Sequence, residues 1–311
     1  MLFPGVKRIP KTAGQEYAGV FPFIRRVLAG EQNNFAKTGL SFLRWTPLGK
    51  LNMQLGTIKE QIVSRVLLIV LCLNTIFWSL LGGLLSLIDR KGNLAHSCNR
   101  KWARLNLLLG GYQVDFQGAK NFAPSRAYVV VSNHQALFDI VMLLGLLPLQ
   151  FRFVSKKENF KIPFLGWAMR FARYIELDRQ RLRAAMDTLA RCADVLSQGT
   201  SVAIFPEGTR SRDGRMQRFR RGPFQLALRA RVPILPVTIL GTQKAISQKG
   251  LHIVPCPVKM IVSKPVEVTD YEAQEVKRLM EDTHRIIKEE FDKHHGDYFP
   301  FNKRCETDDD G

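Results

Sequence analysis

Between residues 112 and 262, short runs of β-branched and aromatic residues alternate with stretches of helical periodicity, and this alternation narrows the fold more than any other feature. Residues 112–117, 128–132, 151–154, 202–205, 234–239 and 258–262 read as strands. Residues 140–147, 164–173, 181–198 and 223–230 read as the helices between them. The 181–198 segment sets Leu182, Ala185, Leu189, Cys192 and Leu196 near one face and ends before Gly199. A capping box over Thr269-Asp270-Tyr271-Glu272 predicts a last helix to about residue 294, with Val276, Leu279, Met280, Ile287 and Phe291 as its apolar stripe. Strands and helices in alternation predict an α/β fold, a mostly parallel central sheet flanked by helices. In such sheets the functional loops gather beyond the C-terminal ends of the strands.

Two segments with chemical potential sit at such ends. After the apolar run 128–131 come Ser132, Asn133 and His134, and Asp139 follows five residues after the histidine. An imidazole exchanges protons near neutral pH, and a carboxylate can fix its tautomer and stabilise its charged form. Five residues apart on one helix the two side chains would diverge by about 140°. A strand, a short loop and a helix starting near Asp139 would let them meet. A surface histidine beside a helix N-terminal carboxylate fits the same spacing. No other signal marks Ser132 as a nucleophile.

The second segment, Pro206-Glu207-Gly208-Thr209-Arg210-Ser211-Arg212-Asp213-Gly214, follows the run 202–205. A glycine turn after a strand lets main-chain N–H groups approach an anion, and Arg210 and Arg212 add forked donors suited to phosphate. Glu207 can orient an arginine or meet a substrate hydroxyl. Arg215, Arg218, Arg220, Arg221 and Arg229 follow, and so many neighbouring cations repel unless an anion sits among them.

With both segments in view, the chain resembles the lysophosphatidic acid acyltransferases within the glycerolipid acyltransferase family. The resemblance rests on His134-x4-Asp139, then Phe205-Pro206-Glu207-Gly208-Thr209-Arg210-Ser211. Two weaker blocks stand in order: Lys157 to Gly166 continuing to Asp178-Arg179, and Val232-Pro233-Ile234-Leu235-Pro236-Val237. It implies that His134 deprotonates the free hydroxyl of a lysophospholipid, oriented by Asp139, and that this oxygen attacks an acyl thioester directly. It also implies that Glu207, Gly208, Thr209 and Arg210 hold the acceptor, with Lys157 and Arg179 as phosphate or donor contacts. The product is then phosphatidic acid. The donor is acyl-CoA or acyl carrier protein, and no metal or other cofactor is expected. The implied fold is a central sheet with helices on both sides and an N-terminal helical membrane element. Family members often carry Gly where this chain has Arg173 and Leu where it has Asn159. Those departures leave open another lysolipid as acceptor, such as a lyso-ornithine lipid.

Charge and composition agree with an enzyme that handles anions beside a membrane. Lys and Arg total 46 against 27 Asp and Glu, a formal charge of +19. A non-catalytic basic module for membranes or nucleic acid is the rival reading. No zinc-finger spacing or ribonucleoprotein motif supports it, and no nucleic acid partner is expected. Anionic headgroups and phosphorylated substrates are drawn by the same field. The 5 cysteines form no metal, redox or disulfide pattern, which points to a reducing, cytosol-facing site. His96, His252, His284, His294 and His295 read as surface or packing histidines.

Residues 66–88 carry no charge. As a helix they would reach about 34 Å, enough for a ~30 Å hydrocarbon core. Asn74, Thr75, Ser79, Gly82 and Gly83 interrupt the run, and basic residues flank both ends. A re-entrant insertion would keep both flanks in one leaflet; a single span and a buried core helix are the alternatives. The chain thus divides into a basic appendage over 1–60, a membrane-associated helical segment over 61–105, the catalytic α/β domain over 106–300 and a loose acidic tail over 301–311. It is expected on the cytosolic face of a membrane, the inner membrane in a bacterium, with membrane lipids as partners.

Overall fold

The computed structural model describes residues 53–178, 182–211, 214–245 and 256–298. The basic appendage (apart from 53–60), Arg179, Arg212 and the acidic tail lie outside the described residues. From Gln54 onward the chain forms one unit.

Helix α1 spans Met53–Ser86 and α2 spans Asn93–Leu109. The strands and helices then alternate: β1 (Gln113–Gln117), β2 (Val129–Ser132), α3 (Phe138–Leu146), β3 (Phe151–Lys156), α4 (Leu165–Phe171), β4 (Ile175–Leu177), α5 (Leu182–Ser197), β5 (Ser201–Ile204), α6 (Gly222–Ala230), β6 (Ile234–Leu240), β7 (Pro257–Val262) and α7 (Val276–Tyr298). The sheet order is β1-β7-β6-β2-β5-β3-β4. Every neighbouring pair is parallel except β6 with β7. The α/β fold with a mostly parallel sheet is therefore the one expected.

Two apolar layers clamp the sheet. Val130, Leu235, Val237 and Ile239 pack with Ala103, Leu107, Met142 and Leu143 of α2 and α3 on one face. Val129, Val131 and Val202 pack with Cys192, Leu196, Phe224, Leu279 and Ile287 of α5, α6 and α7 on the other. Alternate residues of β2 thus enter opposite layers, as the strand period requires. A strand covered on both faces reads as one continuous apolar run, which is why β2 was visible in the sequence.

Three features differ from expectation. Strand β4 has only three residues, too few for a period, and its register with β3 (Val154 opposite Ile175) supplies its partner. Helix α7 begins at Val276, because residues 268–270 form a 3₁₀ turn instead of a first helical turn. The capping pair moves three residues along, with the Glu272 N–H donating to Glu275 Oε2 at 2.9 Å. Helix α2 crosses position 105, and its buried Ala95, His96, Ala103 and Leu107 belong to the core.

Residues 66–86 form part of one unbroken helix instead of a re-entrant turn. By length and composition alone, Arg65–Ser86 is able to cross a membrane: 22 residues, mean hydropathy 2.2, only 17% buried. Its polar positions face inward. Asn74 Nδ2 donates to Asn106 Oδ1 at 3.0 Å, Trp102 Nε1 to Thr75 Oγ1 at 2.9 Å, and Ser79 Oγ to Phe164 O at 2.7 Å. Val66, Ile69, Leu73, Phe77, Leu80 and Leu84 stay exposed on the other side at steps of three and four. A soluble core helix shows the reverse arrangement. Arg173 lies in the left-handed region at φ 57°, a conformation that glycine adopts without strain.

Candidate active site

Strand β2 has β6 on one side and β5 on the other, all three parallel, so three loops meet at one rim. His134 leaves the end of β2, Glu207 the end of β5 and Thr242 the end of β6. The loop after β2 is fixed by Asn133, fully buried, whose Oδ1 accepts the Ile239 N–H and whose Nδ2 donates to Ile239 O, both at 2.8 Å. The side-chain amide thus imitates one rung of a β-ladder and sets where the next residue points.

His134 Nδ1 lies 2.8 Å from Asp139 Oδ2. A carboxylate only accepts, so Nδ1 carries the hydrogen, and in the neutral imidazole this leaves Nε2 its lone pair. Asp139 is fully buried at the start of α3 and receives three further donors. The N–H groups of Gln135 (2.6 Å) and Ala136 (2.9 Å) reach Oδ2, and the Thr242 hydroxyl reaches Oδ1 at 2.5 Å. Gly241, at φ 85°, turns the chain into Thr242; a Cβ there would stand 2.4 Å from Pro257 O. The imidazole stacks on Phe205 with ring centres 4.0 Å apart and 13° between planes. The ring is therefore held by one edge and one face. Its side chain keeps 12% of its surface exposed. Leu137, between His134 and Asp139 in sequence, is 54% exposed, an apolar side chain beside the site.

The turn after β5 docks onto the same loop. Gly208 sits at φ 77°, and its N–H closes the turn to Phe205 O at 3.1 Å. Ser211 N–H donates to His134 O at 3.0 Å, which carries the exposed Thr209 and Arg210 to the mouth of the site. Glu207 turns inward instead of toward solvent. Its Oε1 accepts the His134 N–H at 3.1 Å, and Oε2 has no hydrogen-bond partner among the described residues. The structure thus shows Glu207 positioning the His134 main chain.

Burial, above all, pushes the Glu207 carboxyl from its ordinary 4.5 up to about 8; the His134 N–H bonded to it and, more weakly, the Gln217 N–H nearby, oppose the shift, and the Asp139 charge adds to it. The unfolded chain releases this proton near pH 4.5, whereas the folded protein keeps it to about pH 8. The folded state binds the extra proton in that window, so stability falls as pH rises through it. Urea unfolding of Glu207→Gln, compared with the parent across the window, is expected to show a flatter dependence on pH. An unchanged slope would show that Glu207 ionises normally.

Lys157 stands farther along the rim, after β3. It lies 4.0 Å from Asp178 and lines a cleft of about 180 Å³ with Glu176, Asp187, Thr188 and Arg191. The structure therefore brings His134, Asp139, Glu207, Gly208, Thr209 and Arg210 together over β2 and β5, and places Lys157 over β3. Asn133, Phe205 as the stacking partner, and Thr242 were not legible as site residues. Thr242 lies 103 positions from Asp139, and no local pattern links them.

This arrangement of strands, loops and side chains can be compared with known proteins. The acyltransferase family profile matches residues 113–240, which contain both rim segments. A chloroplastic 1-acyl-sn-glycerol-3-phosphate acyltransferase of Brassica napus is 37% identical over 207 residues, covering 66% of this chain and 58% of that protein. Over this region the chain is similar to the 1-acyl-sn-glycerol-3-phosphate acyltransferases. The human alpha form is 36% identical over 176 residues, covering 54% of this chain and 62% of that family member. The chain spans about half the length of the curated relatives it matches, 48% for the Arabidopsis thaliana enzyme. The crystal structure of the 1-acyl-sn-glycerophosphate acyltransferase of Thermotoga maritima covers 77% of this chain and 97% of its own, with TM-score 0.66 and 24% identity. That similarity establishes the family's fold here.

Proposed function

We propose that the protein transfers a fatty acyl group from a thioester, carried by coenzyme A or acyl carrier protein, to the free hydroxyl of lysophosphatidic acid. The observation that carries this reading is His134 held through Nδ1 by a four-donor Asp139, with Nε2 left as base. His134 Nε2 takes the proton of the acceptor hydroxyl while its oxygen bonds to the thioester carbonyl carbon. The carbon–sulfur bond then breaks, and the imidazolium returns the proton to the departing thiolate. Phosphatidic acid and free thiol leave, and no acyl-enzyme forms. The names of the relatives support lysophosphatidic acid as acceptor.

Arg210, exposed beside His134, is the acceptor's phosphate contact in this reading, with the Gly208–Thr209 main chain beside it. Lys157 and Arg179 are further anion contacts along the rim. The exposed apolar face of α1 rests in the membrane on its cytosolic side, where acceptor and product reside. Purified protein given labelled lysophosphatidic acid and either thioester is expected to form phosphatidic acid; a parallel panel of other lysolipids tests the acceptor. Arg210→Gln is expected to raise the KM for lysophosphatidic acid by about tenfold and leave kcat within a few-fold, because a charge-assisted contact made before and during reaction is lost. No product from lysophosphatidic acid, with product from another lysolipid, would reassign the acceptor.

A further inference from the structure

The arginines after the glycine turn have no part in the chemistry just described. From Gly214 to Arg221 the chain is irregular, and its main chain is pinned to the site at both ends. Gln135 Nε2 donates to Gly214 O at 2.9 Å, and Arg220 N–H donates to Pro206 O at 3.0 Å, one residue from the ring on which His134 stacks. Phe219 is buried against Phe224 and His284. It anchors the segment and leaves Arg218, Arg220 and Arg221 exposed. Residues 218–221 span at most about 10 Å of chain, so the three exposed arginine side chains leave the backbone close together.

Among the described residues, carboxylates do not neutralise that area. Arg126, Arg170, Arg278 and Arg285 each meet an acidic side chain. The side chains of Arg218, Arg220 and Arg221 make no such contact among the described residues. Positions 195–266 contain just two acidic residues, Glu207 and Asp213; Glu207 is buried on the His134 main chain, and Asp213 lies outside the described residues. Three unpaired cations in one place repel each other and raise the local concentration of a multivalent anion.

Chemistry and placement narrow the anion. Guanidinium forks match phosphate oxygens in pairs. Large apolar side chains are not exposed between Gly214 and Arg231, so the surface lacks the apolar anchor typical of a protein–protein interface. The row leads into α6, in the layer of α5 and α7, whereas α1 packs on the α2 side of the sheet. A lipid acceptor reaching His134 from the α1 side leaves this opposite rim for a water-soluble donor. We propose that Arg218, Arg220 and Arg221 hold the phosphates of the nucleotide end of an acyl-CoA donor.

This assignment rests on the acyl-transfer reading, and kinetics with three donors separates the two. Arg218→Gln/Arg220→Gln/Arg221→Gln is expected to raise the KM for long-chain acyl-CoA by at least about tenfold, the equivalent of losing one good charge-assisted contact. The KM for acyl-pantetheine, which lacks the nucleotide phosphates, should move less than about twofold by the same reasoning. Adenosine 3′,5′-bisphosphate should compete with acyl-CoA on the parent protein and not on the variant. An unmoved KM for acyl-CoA overturns the proposal. So does a loss confined to the acyl carrier protein thioester, which would give the row to an acidic protein. A parent protein inactive with all three donors would instead remove the acyl-transfer reading itself. The single variants Arg218→Gln and Arg221→Gln, assayed in parallel, decide the matter if the triple variant does not fold.

Discussion

Replacing His134 by alanine should lower kcat by about 10²–10⁴, the usual contribution of general-base assistance, while the melting curve stays near that of the parent. Among the described residues the side chain makes one hydrogen bond, to Asp139, and one stacking contact, to Phe205. The loop that carries it is held from elsewhere, by the Asn133 clamp on Ile239 and by Glu207 on the His134 N–H. Removing the imidazole should therefore leave the backbone and the acceptor contacts in place, and KM should change little. Turnover above about a tenth of the parent's would show that the hydroxyl loses its proton to another group, because general-base help of normal size would then be missing.

Exchanging Asp139 for asparagine should cost nearly as much activity, about 10²–10³, with the site's geometry preserved. The amide oxygen can still accept at the position of Oδ2, where the ring and two main-chain N–H groups converge. The amide nitrogen can face the Thr242 oxygen, which is able to accept as well as donate. The negative charge that stabilises the imidazolium is the part removed. Asp139→Ala differs, because it leaves buried donors without a partner, each costing about 1–3 kcal/mol. The pair of variants thus separates charge from support: Asp139→Asn should melt close to the parent and Asp139→Ala clearly below it. Comparable turnover by Asp139→Asn and the parent would mean that the carboxylate merely holds the loop.

The aromatic support below the ring and the polar support behind the loop explain how a short motif holds an imidazole in one orientation. His134 does not need a rigid helix beneath it. Its backbone N–H, its ring edge and its ring face are each held by a residue from elsewhere in the chain: Glu207, Asp139 and Phe205. Positions β2 and β5 are neighbours in the sheet, so two segments more than seventy residues apart in sequence become adjacent loops.

Much of this was legible because it depends on local physics. Fully covered strands must be apolar and β-branched, so β2, β5 and β6 announced themselves. Helix α5 carries a stripe that buries Cys192 and Leu196, and α7 one that buries Leu279, Ile287 and Phe291, as the 3.6-residue period requires. The His134–Asp139 spacing implied a strand, a loop and a helix start, and β2 and α3 supply them. A charge count could show that the arginines after Gly214 had too few acidic partners nearby.

The remainder is decided by partners distant in sequence. Three-residue β4 exists through its pairing with β3, and an isolated segment of that length carries no period. In α1, Asn74 and Ser79 look like defects in an apolar run until α2 and Phe164 O are placed against them. Glu207, in sequence a candidate to orient an arginine or meet a substrate hydroxyl, proves to be buried on the His134 main chain, because the turn at Gly208 rolls it under the loop after β2. Thr242 meets Asp139 only because β6 lies parallel to β2. Periodicity and residue type determined which segments form the sheet and which loop holds His134. The order of the strands decided what surrounds that imidazole, since hydrogen bonds between distant loops depend on spatial neighbours that a linear pattern does not encode.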